Sequence, residues 1–331
     1  MEGLTSKQDI SPPLAPGKFS DPDWTAKGET RAAVPLAWLE TLWINTGTLC
    51  NITCANCYIE SSPRNDRLAY ITAAEAAVFF DEIAELGFNT REIGFTGGEP
   101  FVNPQIITMV SDALERGFEV LILTNAMRPM QRPRVQAGLL DLKAQRGARL
   151  KLRVSLDHYT QELHETERGK GSWKPVLDGL DWLTENGFRF AIAGRTCWGE
   201  PEEGARAGYA RLFAERGYPV NAGDAGELVL FPEMDERLDV AEITTACWGI
   251  LGVSPASVMC ATSRMVVKRK GAARPVVLPC TLIAYEKVFE MGESLDEATR
   301  ADGGNFHDGA VKLNHPHCAR FCVLGGGSCS A

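Results

Sequence analysis

The feature that most restricts the fold of this chain is a regular alternation of short apolar runs with longer segments of helical character. The runs fall near 39–46, 91–96, 119–125, 149–156, 188–194 and 226–232, and the helix-like stretches at 72–87, 103–117, 131–145, 172–187 and 203–217. Runs this short and this apolar predict strands buried on both faces, and a helix-length crossover between them predicts parallel neighbours. The punctuation agrees. Thr72 with Glu75 three residues on suggests a capping box closing at Gly87, and the next stretch opens at Asn103-Pro104 and ends at Gly117. A parallel β/α barrel, open or closed, places its site at the C-terminal ends of its strands.

The two ends of the chain do not share this pattern. Residues 1–34 carry Pro12, Pro13, Pro16, Gly17, Pro22 and Gly28 with no apolar period, which predicts a tail or a draped arm. Beyond the last run the pattern changes to a helical segment at 239–251, a hairpin of Met265–Lys268 against Pro275–Leu278 turning through Gly271, a helix at 294–300 and a cysteine-rich end. The expected organisation is a tail over 1–34, a core domain over 35–235 and a small C-terminal domain over 236–331. The length of 331 residues suits one such barrel with an appendage.

Bulk properties exclude several classes. A net charge of -9 disfavours a phosphate backbone as partner, since such binding is carried by basic surface. The N-terminus lacks the basic and apolar regions of a signal peptide, and no apolar run is long enough to span a bilayer. The expectation is a cytoplasmic protein with no membrane and no nucleic-acid partner. In that compartment thiols stay reduced, so ten cysteines read as metal ligands before they read as disulfides.

Three of them, Cys50, Cys54 and Cys57, form a C-x3-C-x2-C loop directly after the first run, at the end of a barrel strand. A loop this compact can point three thiolates at one inorganic centre, one short of the four that close a zinc or 4Fe-4S site. An open metal corner, a zinc site borrowing a distant fourth ligand, and buried structural thiols are the readings available. After the second run comes Thr96-Gly97-Gly98-Glu99-Pro100, where two glycines permit close approach to the backbone and a carboxylate follows.

Taken together, the cysteine loop followed by Tyr58 and the G-G-E-P segment resemble the radical S-adenosylmethionine (radical SAM) enzymes, in the branch of molybdopterin-precursor synthases and peptide-modifying enzymes. The resemblance implies a partial (β/α)6 TIM-like barrel whose 4Fe-4S cluster is held by Cys50, Cys54 and Cys57 and leaves one iron for SAM. It implies that Gly97, Gly98 and Glu99 meet the amino group of the SAM methionine moiety. Ser155, Asp157 and Arg168 would approach its carboxylate and ribose; Thr124 and Asn125 lie on the same rim, and Gly194 would offer backbone to adenine. Such an enzyme reduces SAM to methionine and a 5'-deoxyadenosyl radical, which abstracts hydrogen from a substrate.

The C-terminal cysteines resemble a twitch or SPASM-like domain carrying an auxiliary 4Fe-4S cluster. Cys260, Cys280, Cys318 and Cys322 are its expected ligands, with Cys329 as a substitute for Cys322, while Cys197 and Cys247 read as core thiols. The Lys268, Arg269, Lys270 and Arg274 group reads as a solvated face or as a dock for an acidic reductant such as flavodoxin or ferredoxin. The five histidines show no ligand spacing and read as surface or rim residues. A small molecule is the expected substrate, because few residues precede Cys50 for leader binding; the alternatives are a peptide maturase and a non-catalytic iron-sulfur electron carrier.

Overall fold

Parallel neighbours need a crossover of a dozen or more residues, and most intervals between the apolar runs supply one as a helix. The computed structural model describes residues 12–232 and 235–325. In chain order the elements begin with β1 (Ala33–Val34), β2 (Thr41–Asn45), α1 (Ala73–Glu85), β3 (Glu92–Thr96), α2 (Ile106–Glu115), β4 (Glu119–Thr124) and α3 (Pro133–Arg146). They continue through β5 (Leu150–Ser155), α4 (Gln161–Arg168), α5 (Trp173–Glu185), β6 (Phe190–Arg195), α6 (Glu202–Arg216) and β7 (Leu228–Phe231). The last third holds α7 (Cys247–Leu251), β8 (Ser263–Val267), β9 (Val276–Leu278), α8 (Leu295–Thr299), β10 (Phe306–His307) and β11 (Ala310–Lys312), then a π-helical turn over Cys318–Leu324.

The chain divides into two compact units, the first comprising residues 44–74 and 92–232 among those described. In it the strands run β7, β6, β5, β4, β3 and then the last two residues of β2 without a jump, the winding of a TIM-like barrel that stops short of eight strands. Strands β3 to β7 pair in parallel, with Ile93 opposite Val120, Val120 opposite Leu150, Leu152 opposite Phe190 and Ile192 opposite Leu228. β3 and β4 are buried over most of their length, as helix-covered strands must be. Helix α2 packs on β4, and α3 on β5.

The second unit takes in residues 12–43, 75–91 and 235–325. The expected hairpin is β8 against β9, antiparallel, with Met265 opposite Leu278 and Val267 opposite Val276. The N-terminal arm belongs to this unit and does contribute a strand: β1 pairs antiparallel with β11, Val34 opposite Val311. Nothing local marks it, because its partner lies at the other end of the sequence.

The same arm explains a correction to the helix expected over 239–251, of which only Cys247–Leu251 is helical. Residues 237–245 are instead held against the arm by backbone bonds: Leu14 N to Arg237 O at 2.7 Å, Asp239 N to Pro12 O at 2.6 Å, Ala32 N to Ile243 O at 2.9 Å and Thr245 N to Thr30 O at 3.2 Å. Arg31 and Glu242, both buried, pair at 2.7 Å between them. No described helix is long and apolar enough to cross a membrane.

Candidate functional site

The first unit concentrates its polar chemistry at the C-terminal ends of β2, β3, β4 and β5. Where β2 ends, Thr46 N donates to Thr96 O at 2.8 Å and its hydroxyl to the same oxygen at 2.9 Å, so the two strand ends are clamped. The backbone then turns through Gly47, whose φ of +108° suits glycine. Gly98 N donates to Gly47 O at 2.8 Å and Glu99 N to Leu49 O at 3.2 Å. A Cβ on Gly98 would lie 2.3 Å from Leu49 O, and one on Gly97 2.5 Å from Gly47 O. The glycine pair is therefore required by the start of the cysteine loop, which rests directly on the 97–99 backbone.

Beyond this contact the loop carries Cys50, buried, with Cys54 and Cys57 half-buried. Its far side is held by the last turn of α4. Ala55 N donates to Glu167 O at 2.7 Å, and Asn56 gives its Nδ2 to the Glu167 carboxylate at 2.6 Å and its backbone N at 3.3 Å. Arg195, at the end of β6, donates to Asn56 O at 3.2 Å and stands 3.5 Å from Glu167. Asn56, Glu167 and Arg195 were not singled out from the sequence. Adjacency of Glu167 to Arg168, which the sequence does single out, was the available signal.

Glu99 is buried at 2 % exposure with three hydrogen bonds on its carboxylate. Thr124 Oγ1 and Asn125 N each donate at 2.8 Å, and Phe101 N at 3.2 Å. Burial nevertheless pushes its carboxyl up to about 7, against the lowering effect of those donors and of Arg168. Asn125 also reaches the cysteine loop, donating through Nδ2 to Asn51 Oδ1 at 2.9 Å and to Cys50 Sγ at 3.8 Å. Asp157 follows β5 and takes a bidentate pair from Arg168 at 2.6 and 3.2 Å.

Burial is also the first cause that pushes Cys50 up to about 12 and Cys54 up to about 11. Glu99 and Cys54 add to the effect on Cys50, and Cys57, Asp157 and Glu167 to that on Cys54, while Arg168 opposes both. Three thiols on one short loop, two of them costly to ionise without a counter-charge and both within reach of Arg168, fit a cationic cluster that takes up the thiolate charge. Of the remaining expected positions, Tyr58 is half-buried in the loop and Ser155 ends β5 opposite Ala193. Gly194 is accounted for by packing: a Cβ there would meet Tyr209 Oη at 2.4 Å, and that hydroxyl donates to Leu156 O at 2.7 Å.

In the second unit the hairpin register brings Cys260, in the turn before β8, and Cys280, just after β9, to one end. Cys318 and Cys322 share the π-helical turn. Cys260, Cys280 and Cys318 are buried. Burial holds the Cys318 thiol well above its ordinary range, and the charges of Cys280 and Cys260 raise it further, so these three lie together. They fit a second thiolate-bound centre. Cys329 lies outside the described residues. Cys197 and Cys247 are half-buried, Cys247 Sγ accepting from Thr244 N at 3.3 Å.

The histidine expectation requires correction. His158, His164 and His317 are buried and His315 is nearly so; His307 is exposed. His164 packs edge-on to Trp173 at 5.5 Å, and burial holds its ring neutral by lowering its pKa to about 4. His315 and His317 approach Glu236 at 3.5 and 3.8 Å, a pairing invisible to local spacing. His315 Nδ1 accepts from His317 N at 3.1 Å, which leaves its proton on Nε2, directed at the carboxylate. The basic hairpin group is also compensated: Lys268 pairs with Glu75, Arg269 with Glu290 at 2.8 Å and Arg274 with Glu293 at 3.8 Å.

A sequentially wound β/α partial barrel that carries three thiols and a buried carboxylate at the C-terminal rim defines a barrel metalloprotein built for a metal cluster and a small polar cofactor. Residues 44–197 match the model of the Radical SAM superfamily, whose cofactors are a 4Fe-4S cluster and SAM. The antilisterial bacteriocin subtilosin biosynthesis protein AlbA of Bacillus subtilis is 29 % identical over 145 residues, 44 % of this chain and 30 % of AlbA. The AdoMet-dependent heme synthase of Methanosarcina barkeri is 28 % identical over 144 residues, 43 % of this chain and 38 % of that protein. The chain thus spans about a third of the length of these curated relatives. Among solved structures, Streptococcus suis SuiB bound to S-adenosylmethionine superposes with a TM-score of 0.57 at 13 % identity, covering 81 % of this chain and 67 % of SuiB, a likeness of fold.

Proposed function

We propose that this chain is an enzyme that cleaves S-adenosylmethionine reductively and uses the product radical to modify a peptide. The observation that carries the reading is the stacking of the Cys50–Cys57 loop on the Gly97–Glu99 backbone, which brings three thiols and a buried carboxylate to one strand rim. Cys50, Cys54 and Cys57 would hold the cluster. When bound, it supplies one electron to the SAM sulfonium, releasing methionine and a 5'-deoxyadenosyl radical that takes hydrogen from the substrate.

The protein's part is binding and orientation. Glu99, with one oxygen accepting from Asn125 N alone, retains a lone pair for the SAM ammonium. A cation there would favour its ionised form, which burial disfavours. Arg168 spends two of its N–H groups on Asp157, which leaves other N–H groups that would serve the SAM carboxylate. Asn125 links the carboxylate pocket to Cys50 and Asn51.

A peptide is the proposed substrate in place of the small molecule expected from the sequence. In support, AlbA is named for bacteriocin biosynthesis, mycofactocin maturase MftC is another relative at 28 % identity, and SuiB has been solved with its precursor peptide SuiA. Cys260, Cys280, Cys318 and Cys322 would hold the auxiliary cluster, and a flavodoxin or ferredoxin in the cytoplasm would supply the electron. An electron carrier has no use for a Glu99 pocket, and SAM binding separates the two. The test is anaerobic incubation with SAM and dithionite, followed by chromatography. Wild type should form 5'-deoxyadenosine and the Cys50→Ala, Cys54→Ala, Cys57→Ala variant none; wild-type yields from the variant would overturn the assignment.

A further inference from the structure

Arg264 on β8 is 1 % exposed, and among the described residues it has no carboxylate partner. Its Nη1 donates to Cys260 O at 2.6 Å and to Ser263 O at 2.8 Å, while Nε and Nη2 have no hydrogen-bond partner among the described residues. Buried guanidinium groups are kept only where an anion or acceptors meet them, because an unpaired charge in a dry interior is strongly disfavoured. Cys260 and Cys280 lie close enough that their thiolate forms would act electrostatically on Arg264. Both thiols sit at the end of the hairpin that Arg264 occupies, and Cys318 is influenced by the same two. Nothing in the barrel mechanism uses this residue, and it lies in the second unit with the C-terminal cysteines.

We propose that Arg264 is the counter-cation of the auxiliary cluster, its unpartnered Nε and Nη2 being the donors available to that thiolate-bound centre, and that it raises the centre's reduction potential. This rests on the reading of Cys260, Cys280, Cys318 and Cys322 as cluster ligands. A centre held by four thiolates is net negative and becomes more so on reduction. A fixed neighbouring cation with N–H donors therefore stabilises the reduced form. The backbone bonds to Cys260 and Ser263 hold the guanidinium in place, so the effect is one of placement as well as charge. A potential raised in this way suits a centre that accepts an electron from a substrate radical.

The test uses the full chain with Cys50, Cys54 and Cys57 replaced by alanine, so that only the auxiliary centre is observed. Iron is counted after anaerobic reconstitution, and the potential is read by redox titration followed by electron paramagnetic resonance. Near-zero iron with Arg264 intact would refute the cluster itself, independently of any role for Arg264. With the cluster present, Arg264→Met is expected to make reduction at least tenfold less favourable, about 59 mV for a one-electron couple. Arg264→Lys should restore most of the difference. Loss of iron from Arg264→Met but not from Arg264→Lys would also support the proposal, and an unchanged potential in fully loaded Arg264→Met would overturn it. If neither variant folds, the reduced protein labelled with 15N-arginine provides the readout. A nitrogen hyperfine coupling to the cluster is expected, and its absence overturns the proposal.

Discussion

Glu99→Gln isolates the property of the site that burial creates. The carboxyl is raised from 4.5 to about 7, so the folded protein binds its proton more tightly than the unfolded chain does. Below pH 4.5 the group is neutral in both states. As pH rises through 7 the folded state must carry a buried anion, and at about 1.4 kcal/mol per pH unit the cluster-free protein loses about 3 kcal/mol of stability across that window. Glutamine is neutral throughout and lacks this slope. It also turns an amide N–H₂ toward donors, Asn125 N or the Phe101 N and Thr124 pair, a mismatch of about 1–3 kcal/mol that does not depend on pH.

Urea unfolding of the two cluster-free proteins between pH 4.5 and 8 should therefore show the variant gaining on wild type by about 3 kcal/mol as pH rises. In the cluster-loaded enzyme the same change should weaken SAM by about 1.5–3 kcal/mol, on the order of tenfold to a hundredfold in Kd, through loss of a charge-assisted hydrogen bond. Stability curves that stay parallel within about 1 kcal/mol would refute the claim that Glu99 is a strained anion, since the linked proton would then be absent. An unchanged SAM dissociation constant, measured by calorimetry, would remove Glu99 from the cofactor pocket.

Gly98→Ala places a Cβ 2.3 Å from Leu49 O, so the cysteine loop must shift; about 1–3 kcal/mol of stability and most of the core iron should be lost, read by urea melts and iron assay. Glu167→Ala removes the carboxylate that Asn56 and Arg195 share, and should destabilise by about 3 kcal/mol and lower 5'-deoxyadenosine formation with Glu99 untouched; Glu167→Gln, which keeps an acceptor for Asn56, should be milder. Reconstituted wild type should hold about eight irons per chain and the Cys50→Ala, Cys54→Ala, Cys57→Ala variant about four, with near four and near zero ruling out the auxiliary cluster.

The barrel was legible because its signals are local. Each strand is a continuous apolar run, each crossover is a helix-length segment, and the cysteine loop is a spacing within eight residues, so periodicity and neighbours in sequence carry the information. Glu99 was legible for the same reason, as part of one contiguous motif. What the sequence could not supply are pairings across long separations. β1 has meaning only opposite β11, and the arm that contains it keeps 237–245 from becoming the helix its own pattern predicts. His164 is neutral because tertiary packing buries it, with Arg168 adding to the effect, and Glu167 matters because the end of α4 meets a loop from a different strand. Arg264 carries no signal in its own neighbourhood and acquires meaning only when the hairpin buries it near Cys260 and Cys280, while Lys268 and Arg269 are paired with Glu75 and Glu290. Composition and spacing determined which donors the chain possesses. Burial and charge compensation, which exist only once distant segments pack, decided which of those donors are anions, which are neutral, and which cation answers them.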